Sequence, residues 1–175
     1  MERKKLLFLS IVLFVLASIG MGVVDVYMQN EITPYGIISF EFIKTIEASN
    51  AAMQAWGPTG QIATGISVGL DFLYLVMYIS IGCIFLAMTS EKVSAISPSF
   101  GRALLILAYL YPVVGLLDVI ENYSLIQLLL GSQDSIWPTT AYYCAITKFG
   151  GLAIAWVFVI FGQVYAKLNS PKSIA

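Results

Sequence analysis

Residues 6–24 form an apolar run of 19 residues without a single charge. That is enough helix to cross about 30 Å of hydrocarbon. Three more long apolar segments follow, at about 61–88, 98–130 and 138–168. A helix keeps its backbone hydrogen bonds within the segment, which is what a bilayer demands of any spanning chain. The chain therefore reads as an all-α membrane protein, an antiparallel four-helix transmembrane bundle in a single domain over 1–175. Composition agrees: 59% of the residues are hydrophobic and 11% are charged, where a soluble domain is nearer about a quarter charged.

Composition also excludes some chemistry. The net charge of −1 gives no general attraction to nucleic acid. There is no histidine, so the commonest general base and the commonest zinc ligand are both missing. Cys83 and Cys144 both lie in apolar segments and read as two free buried thiols rather than a disulfide. No phosphate-binding glycine loop, metal-ligand spacing or nucleophile–base motif is present.

The first span should cover about 6–27, with Asp25 solvated near the interface and Tyr27 closing the helix. A signal peptide also starts basic, but its apolar core is only about 7–15 residues. The run is read as an uncleaved helix, with cleavage after Ala17-Ser-Ile-Gly20 as the alternative.

Residues 28–60 are the long connection. Thr33-Pro34 resembles a cap followed by proline at the first helical position, and Gly57-Pro58 resembles a stop. An extra amphipathic helix is expected between them, over 34–56, in the first outer loop. Its apolar side would carry Ile38, Phe42, Ile43, Ile46, Met53 and Trp56. Its polar side would carry Glu41, Lys44, Glu47 and Gln54, with Lys44 pairing locally with Glu41 and Glu47.

Further along, Gly65-Ile-Ser-Val-Gly69 and Gly150-Gly151 predict close helix contacts. Pro112 should kink the third span and free a carbonyl near Ala108.

Orientation follows from the basic residues. With the N-terminus inside, Arg3, Lys4, Lys5, Lys92, Arg102, Lys167 and Lys172 are cytoplasmic, seven of the nine cations. Both termini are then cytoplasmic, and the polar tail, residues 169–175, is expected to fray.

Ionisable residues interrupt three of the spans. Asp118, Glu121 and Asn122 share one helical face at i, i+3 and i+4. Asp71 sits in the second span with Tyr74 and Tyr78 on its face, and Tyr111 shares the face of Asp118 and Asn122. Lys148 is alone in the fourth. At about 1.5 Å per residue, Asp71, Asp118, Glu121, Asn122 and Lys148 fall roughly 12–18 Å below the outer edge. Buried charge at such depth marks a site or a buried pair. One polar layer in the outer half lets the lone lysine neutralise a carboxylate. Three carboxylates against one lysine still leave an excess of negative charge, so a proton, a cation or a water-filled cleft is needed.

Asp71, Asp118, Glu121, Asn122, Lys148, Tyr74, Tyr78 and Tyr111 are therefore the candidate ligand-binding residues. No metal and no cofactor is expected, because Lys148 repels a dication. The leading reading is a buried carboxylate/lysine pocket that binds or carries a small cationic or amphipathic molecule, with a proton coupled to it. An acid–base enzyme acting on a lipid or isoprenoid is the first alternative. A packing or assembly subunit without a site of its own is the second. Membrane lipid and a small-molecule or lipid ligand are the expected partners. Nucleic acid is not among them, and self-association into a homo-oligomer is left open.

Overall fold

The computed structural model describes residues 3–169. Met1, Glu2 and Lys172, and the tail beyond Asn169, lie outside them. Among the described residues the chain is all helical: α1 Arg3–Asp25, a 3-10 turn Val26–Met28, α2 Gly36–Glu41, α3 Ile46–Ser94, α4 Pro98–Leu110, α5 Pro112–Leu129 and α6 Ile136–Asn169. Four stretches are long and apolar enough to cross a membrane: Arg3–Met28, Ile46–Ser94, Pro98–Leu129 and Ile136–Asn169.

The helix α3 is the hub. It packs against α1, α4, α5 and α6. Its partners meet it in opposite residue order. Phe14 stacks on Tyr74 with ring centroids 4.6 Å apart, while Arg3 pairs with Glu91 at 2.6 Å. Cys83 donates to the Ala108 carbonyl at 3.5 Å, while Ser90 donates to the Gly101 carbonyl at 2.7 Å. The first of these two uses the carbonyl that Pro112 frees, since proline has no N–H to return to Ala108.

The expected loop helix is not one helix. Its first part is only Gly36–Glu41, its second starts at Ile46, and Phe42–Thr45 separates them. Thr33 is not a helix cap. Its buried hydroxyl donates to the Met28 carbonyl at 2.6 Å and accepts from the Trp56 indole at 2.9 Å. Asp25 is not simply solvated either. Its carboxylate accepts from the backbone N–H of Ile37 at 2.9 Å and from Gln29 at 2.9 Å. That contact satisfies an orphan N–H in the first turn of α2 from the end of α1. Thr45 is the true cap of α3, accepting from Ala48 N–H at 3.3 Å.

Because the helix breaks after Glu41, the two halves need not share a phase. In the second half Met53 and Trp56 are buried as the pattern predicts. In the first half the faces are reversed: Phe40, Ile37 and Glu41 are buried, while Ile38 and Phe42 are 48% and 41% exposed. Gly57 is a break within α3 rather than an end, with φ 62° and ψ −170°. Pro58 then restarts the helix without needing its missing N–H. Gly131, at φ 88°, closes α5: Ser132 N–H bonds to Gln127 and Gly131 N–H to Leu128.

Two apolar clusters fill the interior. One gathers Met28, Phe40, Trp56, Val68, Leu125 and Leu128. The other gathers Leu75, Leu86, Val93, Leu104, Tyr111 and Val159. On α3 Asp71 falls between Val68 and Leu75, and on α5 Asp118 to Asn122 falls between Val114 and Leu125. The polar residues thus form a layer between two dry regions.

The glycine expectations divide. Gly151 packs against Val114, and a methyl group on it would sit 2.8 Å from Val114 Cγ2. Among the described residues Gly65, Gly69 and Gly150 face nothing within 4 Å, so the GxxxG pattern meets no neighbouring helix there. The close approach occurs instead at Gly82, which lies under the Tyr111 ring.

Candidate functional site

Lys148 is the centre of the polar layer. Its ammonium donates to Asp118 Oδ1 and to Glu121 Oε1, each at 2.9 Å. It also lies 3.6 Å from Glu41 Oε2. All four residues are buried, with relative exposures of 5% for Lys148, 1% for Asp118, 0% for Glu121 and 7% for Glu41. The i, i+3 spacing on α5 explains how one ammonium bridges two carboxylates of the same helix face. Tyr78 donates its hydroxyl to Asp118 Oδ2 at 2.7 Å, so both oxygens of Asp118 are used.

Asp71 joins through a different hand. Asn122 donates its amide to Asp71 Oδ2 at 2.7 Å. Asn122 is the i+4 neighbour of Asp118, so the α5 face carries Asp71 to the cluster without a direct lysine contact. Tyr74 has no place in the bond network. It stacks on Phe14 and meets Tyr78 edge-on at 5.7 Å, as part of a wall. Tyr111 also stands apart, with its ring over Gly82 and its buried hydroxyl unpartnered.

Glu41 is the residue that sequence reasoning misplaced. The helical pattern places it on a solvated face beside Lys44, and the structure instead turns it inward to Lys148. Lys44 goes elsewhere: it donates to the Tyr143 hydroxyl at 2.8 Å and lies 4.6 Å from that ring centroid. That hydrogen bond raises the Lys44 ammonium pKa above its ordinary value. The sequence does hold a clue. Thr45 is a good cap residue, and a helix starting there frees Glu41 from the phase of 46–56. Burial pushes the Glu41 carboxyl up, with Lys148 opposing that shift only in part.

A cavity of about 720 Å³ reaches this cluster. One wall is α1, with Ile11, Phe14, Val15, Ser18, Met21 and Gly22. The facing wall is α6, with Phe149, Leu152 and Trp156. Tyr74, Tyr78, Ile81 and Tyr111 line its back, and Asp71, Asp118, Glu41 and Lys148 form its polar end. The α1 helix packs along α3 but makes no comparable contact with α6, so the cavity separates the two. Val15, Ile38 and Trp156 both line the cavity and stay 47%, 48% and 38% exposed, which places its mouth between these elements.

The arrangement is apolar along its length and charged at one end. It can hold an amphipathic molecule with its polar group on the carboxylates. Four carboxyls face one ammonium, so a positive group fits best. Among the described residues no group of three or more acidic or thiol side chains is placed to hold a metal ion. No family model matches this chain, and comparison with curated proteins and with solved structures finds no match for it either.

Proposed function

We propose that this protein binds or carries a small cationic amphipathic molecule that enters the bundle from the lipid. The spans form an antiparallel bundle with both termini cytoplasmic, and residues 28–60 cover its outer end. Asp71, Asp118 and Glu121 supply the negative charge, joined by Glu41. Asn122, Tyr78, Tyr74 and Tyr111 orient the guest, and Lys148 sets the charge balance of the carboxylates.

One observation carries this reading: an apolar cavity of about 720 Å³, open between α1 and α6, ends on the buried carboxylates. A structural ion-pair network alone needs no such cavity. A mouth between two lipid-facing helices suits a guest that partitions into the membrane first. The excess of carboxylates selects positive charge.

The test uses three decyl amphiphiles on the purified protein in nanodiscs: a trimethylammonium, a neutral glycoside and a sulfate. The trimethylammonium compound is expected to bind and raise the melting temperature, and the sulfate to do neither. Asp71→Asn should weaken that binding roughly tenfold, equivalent to about 1.4 kcal/mol. Equal responses to all three compounds would sink the proposal.

The same lateral mouth supports an acid–base enzyme acting on a lipid or isoprenoid as a second reading, one carboxyl donating a proton and another accepting one. Deuterium entering a lipid C–H position from D2O in the presence of the protein, and not of Glu121→Gln, would favour it.

A further inference from the structure

Resting on the reading just given, we propose that the site exchanges its cationic guest for a proton held between Glu41 and Glu121. The two carboxyls come from different elements, α2 and α5, and meet at one ammonium: Lys148 lies 2.9 Å from Glu121 Oε1 and 3.6 Å from Glu41 Oε2. Each keeps one buried oxygen, Oε2, without any donor. The donors nearby reach neither of these oxygens within hydrogen-bond distance. Lys148 has three N–H groups; two go to Asp118 and Glu121, and Glu41 Oε2 lies beyond bonding range at 3.6 Å. Tyr78 serves Asp118, and Asn122 serves Asp71.

A single proton resolves this shortage. It turns one of the two carboxyls into a donor and leaves the other an acceptor. It also removes one negative charge from a buried group of four carboxyls and one ammonium. Two like charges in close contact in a dry site disfavour joint ionisation. The burial that pushes the Glu41 carboxyl up acts in the same direction.

Lys148 and the Cys144 thiol face this pair from α6, Asp118 from α5, Asp71 and Tyr78 from α3, and Asp25 from the end of α1 across the cavity. None of them brings a second positive charge. Glu41 lines the cavity, so an arriving cation meets it together with Asp71 and Asp118. The cation then does electrostatically what the proton did. One cation enters, the shared O–H bond breaks, and the proton leaves to water. Both carboxyls end ionised, no electrons move, and the net charge of the site is unchanged.

The experiment is calorimetry of decyltrimethylammonium binding to the full chain in nanodiscs, in two buffers of different ionisation enthalpy at one pH. This cation has no proton of its own, so any released proton comes from the protein. About one proton should be released per cation, and affinity should rise about tenfold per pH unit until the pair is fully ionised. Glu41→Gln and Glu121→Gln should each abolish the release and flatten the pH slope; if one variant fails to fold, the other carries the comparison. An infrared spectrum without ligand reads the proton independently: a protonated-carboxyl C=O stretch near neutral pH, missing in both variants. Binding without proton release overturns the exchange, as does release that persists in both variants or the absence of that stretch. Absence of binding overturns the function reading and the exchange together, and the infrared band then still reports whether the pair shares a proton.

Discussion

At the residue scale, Lys148 decides whether the polar layer holds. It is the one cation among four buried carboxyls, and removing one partner of a buried pair costs about 3–5 kcal/mol because the other charge is stranded. Lys148→Met should therefore cost at least roughly 3 kcal/mol in detergent unfolding. Adding Glu121→Gln should recover part of the loss. Glu41→Gln should recover part too, because Glu41 faces the same ammonium and not Lys44. Double-mutant cycles measure each term; zero coupling at both carboxylates would mean that the charges act independently. Glu41 also gives a pH dependence. Its carboxyl pKa lies above the ordinary 4.5 in the folded protein. A group raised in this way favours folding most below its unfolded value, and that contribution is lost as pH climbs through the raised one. Melting temperature should fall as pH rises above about 4.5, and Glu41→Gln should flatten that fall. An unchanged profile in the variant would assign the dependence to another group.

At the scale of elements, backbone breaks place the site. The chain leaves α2 at Phe42, restarts at Ile46 and bends at Gly57, and these interruptions let Glu41 turn inward. Phe40 is 1% exposed and packs on Trp56 at 4.8 Å, whereas its neighbour Ile38 is 48% exposed. Phe40→Ala should cost about 3–5 kcal/mol, and Ile38→Ala far less. Equal losses would show that the segment does not keep this face inward. Glycine substitutions separate contact from mere occurrence. Gly82→Ala should destabilise because its new methyl group meets the Tyr111 ring, while Gly65→Ala and Gly69→Ala should be neutral or slightly stabilising. A loss at Gly65 comparable to that at Gly82 would reveal a partner on the open face. Thermal melts of the three variants in one detergent compare them directly.

At the scale of the whole molecule, α3 holds the other spans together while α1 touches little besides α3. That asymmetry opens the cavity between α1 and α6. Topology is open to a direct check. In a chain whose two native cysteines are replaced, single cysteines at Lys92 and Leu168 should react only from the cytoplasmic side. Those at Gln54 and Ser132 should react only from outside. Labelling of Ser132 from the cytoplasm would invert the molecule and place the polar layer in the other leaflet.

Some of this protein follows from local sequence alone. Long uncharged runs such as residues 6–24 can only be apolar helices, because their length and composition need no partner to be read. The meeting of Asp118, Glu121 and Lys148 also follows, since charges that cannot face lipid must find each other. The freed Ala108 carbonyl is a property of Pro112 itself. Tertiary structure decided the rest. A helical wheel assumes one continuous helix, so it placed Glu41 with Lys44 and gave Phe42 to the buried side. The break at Phe42–Thr45 reset that phase, and the Asp25 contact to Ile37 turned α2 over the cavity. Gly65 and Gly69 look like a contact from spacing, yet no helix approaches them; the approach went to Gly82, where Tyr111 happened to need room. Periodicity names a face, and only the packing of distant elements determines what that face meets.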